Sequence, residues 1–190
     1  TKFYANKTGF NYCVYSGEDL LKAKGHTHQN INHSEKASNE GYIRAHNYEV
    51  NFVGGNLNKV IKKAEQSDYY NYFLGNDKSK WAGKVKAYAD LMFKDVYEGV
   101  DLNLYSEGKN LKYDLIIQPQ ADAGKIKLNY KYVNKIELLN GEIIIKTSVG
   151  DIIEKSPVAF QNINGFKVNV RCSYKLINET TIGFVFPDGY

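Results

Sequence analysis

Residues 135–146 read Lys-Ile-Glu-Leu-Leu-Asn-Gly-Glu-Ile-Ile-Ile-Lys. Two short apolar runs, Ile136 to Leu139 and Ile143 to Lys146, flank the pair Asn140-Gly141. β-Branched isoleucines favour extended backbone, where the side chain packs on a pleated surface. Asn and Gly tolerate the positive φ that a two-residue hairpin turn requires. The stretch therefore predicts a β-hairpin. The same turn chemistry recurs at Asn164-Gly165, and Gly108-Lys109-Asn110 and Asn178-Glu179-Thr180 predict two further hairpins.

Working outward, strand patterns fill most of the chain. Phe10, Tyr12 and Val14 alternate with other residues, as do Tyr48, Val50 and Phe52. Strands are expected at Val85 to Phe93, Val100 to Tyr105, Leu111 to Ile117, Ile126 to Tyr130, Ile152 to Glu154, Val158 to Gln161 and Thr181 to Phe186. Val168, Val170, Cys172, Tyr174 and Leu176 alternate with polar residues, which predicts one half-buried strand from Phe166 to Leu176. Many short antiparallel strands imply a mostly-β fold, a sandwich or open barrel. One short helix is predicted over 56–68, where Leu57, Val60, Ile61 and Ala64 have helical spacing behind Asn56 as a cap. Glu18 to Ala23 suits a single helical turn, and 25–40 reads as a surface loop. The 190 residues fit one β-rich domain, 1–190, large enough to bury a core without metals or disulfides.

Composition narrows the function classes. No apolar run approaches the roughly 18 residues of a membrane span, so membrane insertion is not expected. Thr1-Lys2-Phe3-Tyr4 lacks the basic-then-apolar pattern of a signal peptide. The net charge of +4 comes from lysines scattered along the chain, with only Arg44 and Arg171 as arginines. Nucleic-acid binders concentrate Arg and Lys in one stripe, so no nucleic-acid partner is expected. Sixteen tyrosines are the most unusual count; they suit strands and, where exposed, binding surfaces. Cys13 and Cys172 each sit in a strand-like run, open to a disulfide or to two buried thiols.

Four blocks occur in order: Asn71-Tyr72-Phe73-Leu74-Gly75-Asn76-Asp77 with Trp81 and Val85-Lys86-Ala87-Tyr88; Val96-Tyr97-Glu98-Gly99-Val100-Asp101-Leu102; Leu111 to Pro119 with Ala121-Asp122; and Gly150-Asp151-Ile152-Ile153-Glu154 with Pro157 to Gln161. In this register the chain resembles the β-rich domain near the N-terminus of large secreted bacterial surface proteins. Those proteins carry SBBP repeats, PKD or immunoglobulin-like modules, and sorting domains of type IX secretion and gliding motility. The resemblance implies an extracellular or outer-cell-surface location and neighbouring modules of the same chain as partners. It carries over no catalytic residues. The blocks also have structural explanations: Gly75 and Gly99 suit turns of positive φ, and Pro119 ends a strand because it cannot donate to a ladder.

His26, His28 and His33 form the nearest approach to a transition-metal constellation, since two imidazoles one residue apart can share an ion. Asn76-Asp77 and Asp95 to Asp101 offer oxygen ligands for Ca²⁺ without EF-hand spacing. No cofactor is otherwise implied, and no GxSxG, P-loop, HExxH or dinucleotide fingerprint occurs. Tyr69, Tyr70, Tyr72, Phe73 and Trp81 make an aromatic cluster that suits either packing or sugar stacking. Three functions follow: a non-catalytic structural or adhesive module, which the resemblance favours; a carbohydrate-binding module using Tyr69, Tyr70, Tyr72 and Trp81 on glycans; and a hydrolase pairing two of Asp90, Asp95, Glu98, Asp101 and Asp114.

Overall fold

The structure, a computed structural model, describes residues 1–25, 42–108 and 110–190. Fifteen strands and one α-helix are present among the described residues, so the mostly-β, antiparallel reading holds. The described residues group into two compact units, 1–53 with 126–190, and 54–125.

The first unit is a sandwich. Its larger sheet has the order β1 (Lys2–Ala5), β2 (Gly9–Tyr15), β3 (Ala45–Phe52), β8 (Lys127–Lys131), β15 (Thr181–Val185) and β14 (Ser173–Asn178). A three-stranded sheet contains β9 (Lys135–Leu139), β10 (Glu142–Thr147) and β11 (Gly150–Glu154). The quoted hairpin is β9–β10: Leu139 pairs Glu142, and Asn140 and Gly141 take φ of 52° and 81°. Asn164 and Gly165 do the same between β12 (Ala159–Ile163) and β13 (Phe166–Val170).

Register decides which residues become core. Phe10 pairs Val50, which pairs Tyr130, and Phe52 pairs Leu128, which pairs Ile182. These residues are all buried, as are Ile136, Ile143 and Ile145 of the smaller sheet. Each such aliphatic side chain removed from water contributes about 1.5–3 kcal/mol. The helix α1 (Gly17–Gly25) extends the single turn expected at Glu18 to Ala23. Ser16 Oγ accepts from Asp19 N, capping its start. Arg44 grips Asp19 through two side-chain nitrogens, at 2.8 and 2.9 Å.

The second unit is a four-stranded meander of β4 (Lys59–Tyr72), β5 (Ala82–Tyr97), β6 (Val100–Glu107) and β7 (Asn110–Ile117). Phe93, Leu102 and Leu115 share one row of its apolar face, with Leu102 fully buried. Gly99 (φ 70°) closes the β5–β6 turn, as its glycine implied.

Two expectations are corrected. Residues 56–68 do not form a helix. Asn56 N instead donates to Val96 O, and Val60 and Ile61 lie opposite Phe93 and Met92 in β4. Strand pairing to β5 outweighs a helical spacing built on β-branched residues, whose χ1 stiffness already favours strands. The alternation from Phe166 to Leu176 also does not make one strand. It breaks at Arg171-Cys172, leaving β13 paired with β12 and β14 in the larger sheet. Alternation marks extended backbone but carries no information about which neighbour each half meets.

Candidate functional site

The aromatic cluster lies on an arm. β5 residues before Asp90 pair only with β4, so β4 and β5 run outward as a two-stranded ribbon from Glu65↔Tyr88 to Tyr72↔Ala82. The register slips twice along it, and Ala64 and Lys84 adopt positive φ near these irregularities. Every residue of β4 is exposed.

The predicted aromatics are therefore at the surface but do not converge. Tyr70 and Tyr72 share one face, with ring centroids 6.5 Å apart, while Tyr69 takes the opposite face by strand alternation. Trp81, 38% exposed, is engaged at the tip. Its indole Nε1 donates to Gly75 O at 3.1 Å, Phe73 packs 5.4 Å from its ring, and Lys78 Nζ lies 5.9 Å above it. Those contacts close the 73–81 tip rather than offer an open stacking face. Asp77 accepts from Ser79 N and Oγ and pairs with Lys80, so Asn76-Asp77 serves as a turn cap.

The acidic residues proposed for hydrolysis are spread among separate partners. Asp101, nearly buried, ion-pairs with Lys94 and accepts from Asp95 N. Burial pushes its pKa up, but these two donors outweigh that and hold it below the ordinary carboxylate value. Asp95 pairs with Lys59, Glu98 with Lys125, and Asp114 accepts from the Tyr105 hydroxyl at 3.4 Å. Asp90 Oδ2 accepts from Asn103 Nδ2 at 3.5 Å. Among the described residues no group of three or more His, Cys, Asp or Glu is placed to hold a metal ion. His26, His28 and His33 lie outside the described residues.

His46 and the cysteines are accounted for locally. His46 Nε2 donates to Tyr132 O at 2.7 Å, while Nδ1 accepts from Ser148 N at 3.2 Å. Ser148 Oγ, 2.9 Å from Nδ1, completes the set of groups that hold the ring in place. Cys13 and Cys172 are free thiols. Four strand spacings separate β2 from β14, about 19 Å, whereas a disulfide needs Cα atoms within about 7 Å.

Two features had no signal in the sequence. Glu154, on the inner face of β11, accepts from the Tyr130 hydroxyl at 2.7 Å, joining the two sheets of the sandwich. Burial, followed by the nearby Glu154 charge, pushes the Tyr12, Tyr48 and Tyr174 phenols well above their ordinary range. On the other face of the larger sheet, Tyr4, Asn11, Cys13, Asn47, Glu49 and Tyr132 line a groove of about 470 Å³. Alternation along β1, β2 and β3 would mark Tyr4, Asn11 and Asn47 as wet-face residues, but only the pairing brings them together.

Among the described residues, no helix is long and apolar enough to cross a membrane. No curated protein and no solved structure matches the chain. A family model matches all of residues 1–190, and the chain belongs to the family described as a domain of unknown function, DUF7948.

Proposed function

We propose that this domain is a non-catalytic structural or adhesive module of an exported, multidomain surface protein, and that its β4–β5 arm packs against a neighbouring module. One observation carries the reading. Tyr69, Tyr70, Tyr72, Phe73 and Leu74 stand 48–76% exposed on a ribbon of only two strands. A two-stranded ribbon is marginal in water unless a face is covered, and apolar surface of this kind commonly marks an interaction site. Exposed aromatics on both faces suit insertion between surfaces better than stacking on one sugar chain. The carboxylates of Asp95, Glu98, Asp101 and Asp114 are taken up by separate lysine, amide or hydroxyl partners and do not converge, which supports the non-catalytic side of the reading. The exported context rests on the resemblance of the four sequence blocks.

Trypsin provides the test, because Lys78, Lys80 and Lys84 lie at or near the arm's tip. Cleavage there is expected to be fast in the isolated 190-residue chain. In the longer protein that carries the domain it should slow by about tenfold or more, the factor set by about 1.4 kcal/mol of protection. Equal cleavage rates in both would overturn the proposal.

A further inference from the structure

The groove on the larger sheet carries a second inference, independent of the arm. Its floor is set by two ladder rows. Tyr4, Asn11, Glu49 and Lys131 lie side by side across β1, β2, β3 and β8, and Lys2, Cys13 and Asn47 form the next row on that face. Tyr4, 57% exposed, and Tyr132, 71% exposed, stand as the two walls. Three strand spacings separate the wall strands, about 14 Å, enough for a chain of two or three sugar rings to lie across. The cavity volume of about 470 Å³ falls within the range of small-molecule sites.

The chemistry of the lining selects the ligand class. The side-chain amides of Asn11 and Asn47 and the Tyr132 hydroxyl have no hydrogen-bond partner among the described residues. An amide both donates and accepts, as a sugar hydroxyl does. Glu49 accepts from Asn51 Nδ2 at 3.2 Å through Oε2, and carboxylate–hydroxyl bonds are charge-assisted. Tyrosine rings at the walls supply apolar surface for the C–H face of a pyranose, with a polar tip at the rim. Glu49 is flanked on the floor rows by Lys131 and Lys2, so the floor carries both signs of charge, and a neutral glycan, whose hydroxyls donate and accept, meets all of these groups.

One wall is held in place deliberately. Tyr132 adopts φ 61°, a left-handed conformation that is unusual for a bulky side chain. His46 Nε2 clamps its carbonyl at 2.7 Å, and Ser148 N–H holds the other imidazole nitrogen. Strain retained at an exposed aromatic beside a groove is the pattern of a preformed site.

We infer that the face of the β1-β2-β3-β8 sheet is a binding site for a neutral oligosaccharide, gripped between Tyr4 and Tyr132 over Asn11, Asn47 and Glu49. The test is affinity electrophoresis of the 190-residue chain in gels containing xyloglucan, laminarin or galactomannan, with alginate as the anionic comparison. Migration should be retarded by at least one neutral polysaccharide and not by alginate. Tyr132→Ala and Asn47→Ala, both at exposed positions, should each weaken retardation by about tenfold, the loss expected for one good contact. Tyr70→Ala with Tyr72→Ala on the arm should leave it unchanged, which separates this site from the arm reading.

A second readout uses Cys13 on the groove floor. In a Cys172→Ser background, the polysaccharide that retards the chain should slow alkylation of Cys13 severalfold. Retardation by none of the neutral polysaccharides would overturn the inference. So would retardation by alginate alone, insensitivity to both groove substitutions, or loss with the arm variant only.

Discussion

Removing the Tyr130 hydroxyl by Tyr130→Phe probes how the sandwich is closed. Tyr130 is fully buried on β8 of the larger sheet, and its hydroxyl donates to Glu154 Oε2 at 2.7 Å on β11 of the smaller one. The substitution keeps the ring and its packing and deletes a single donor. A hydrogen bond to a charged acceptor is worth about 1.5–3 kcal/mol, because the carboxylate left behind loses a donor where water cannot easily replace it. For a domain of this size each kcal/mol shifts the midpoint by about 2–4 °C, so a loss of about 3–12 °C is expected. Tyr174→Phe touches the same carboxylate: its hydroxyl donates to the Lys155 carbonyl at 3.1 Å and also meets the Glu154 side chain, so it should cost about 0.5–3 kcal/mol. Combining Tyr130→Phe with Glu154→Gln should give less than the sum of the singles, by about 0.5–3 kcal/mol, since the two act on one contact. Urea titration followed by circular dichroism is the appropriate assay, because it reads the strands of this unit directly, whereas Trp81 lies in the other compact unit. A Tyr130→Phe cost below about 0.5 kcal/mol, or strict additivity with Glu154→Gln, would refute the assignment of this bond as the link between the sheets.

Three further outcomes follow from named atoms. Tyr12, Tyr48 and Tyr174 are raised above the ordinary phenol pKa by burial and by Glu154. The folded state therefore holds these protons more tightly than the unfolded one. The contribution of these tyrosines to stability should be flat below pH about 10 and be lost as pH rises above it; a pH titration of the urea midpoint showing no alkaline loss would contradict this. Gly9→Ala should destabilise by about 1–3 kcal/mol, measured in the same urea titration, because a Cβ there would lie 2.1 Å from Val50 O in the paired strand. Thiol titration of the unfolded, non-reduced chain should find both cysteines free; fewer than two would contradict the strand spacing between β2 and β14.

What was legible in the sequence was local. Asn140-Gly141 and Asn164-Gly165 announced their hairpins because turn chemistry is decided by the two residues themselves. The wet and apolar faces of β7 could likewise be read from Lys112 and Asp114 against Tyr113 and Leu115. Residues 56–68 were misread because Val60, Ile61 and Ala64 satisfy a helical spacing, and only the pairing partner, β5, settles the matter. The break at Arg171-Cys172 is similar, since one alternation feeds two different sheets. The aromatic cluster of Tyr69, Tyr70, Tyr72 and Trp81 was visible as composition. Its division between two faces and a closed tip depends on alternation, register slips and the Trp81–Gly75 bond. The groove was invisible, because Tyr4, Asn11, Asn47 and Tyr132 come from four separate stretches and meet only through strand order.

The central claim, that the β4–β5 arm is a docking element, is tested most directly by acrylamide quenching of Trp81. It is the chain's single tryptophan, so its emission reports on the arm's tip alone. On the proposal that the domain is one module of a longer protein, quenching measured in that protein should fall severalfold relative to the 190-residue chain, with emission moving to shorter wavelength. The same quenching and the same emission maximum in both would contradict the account.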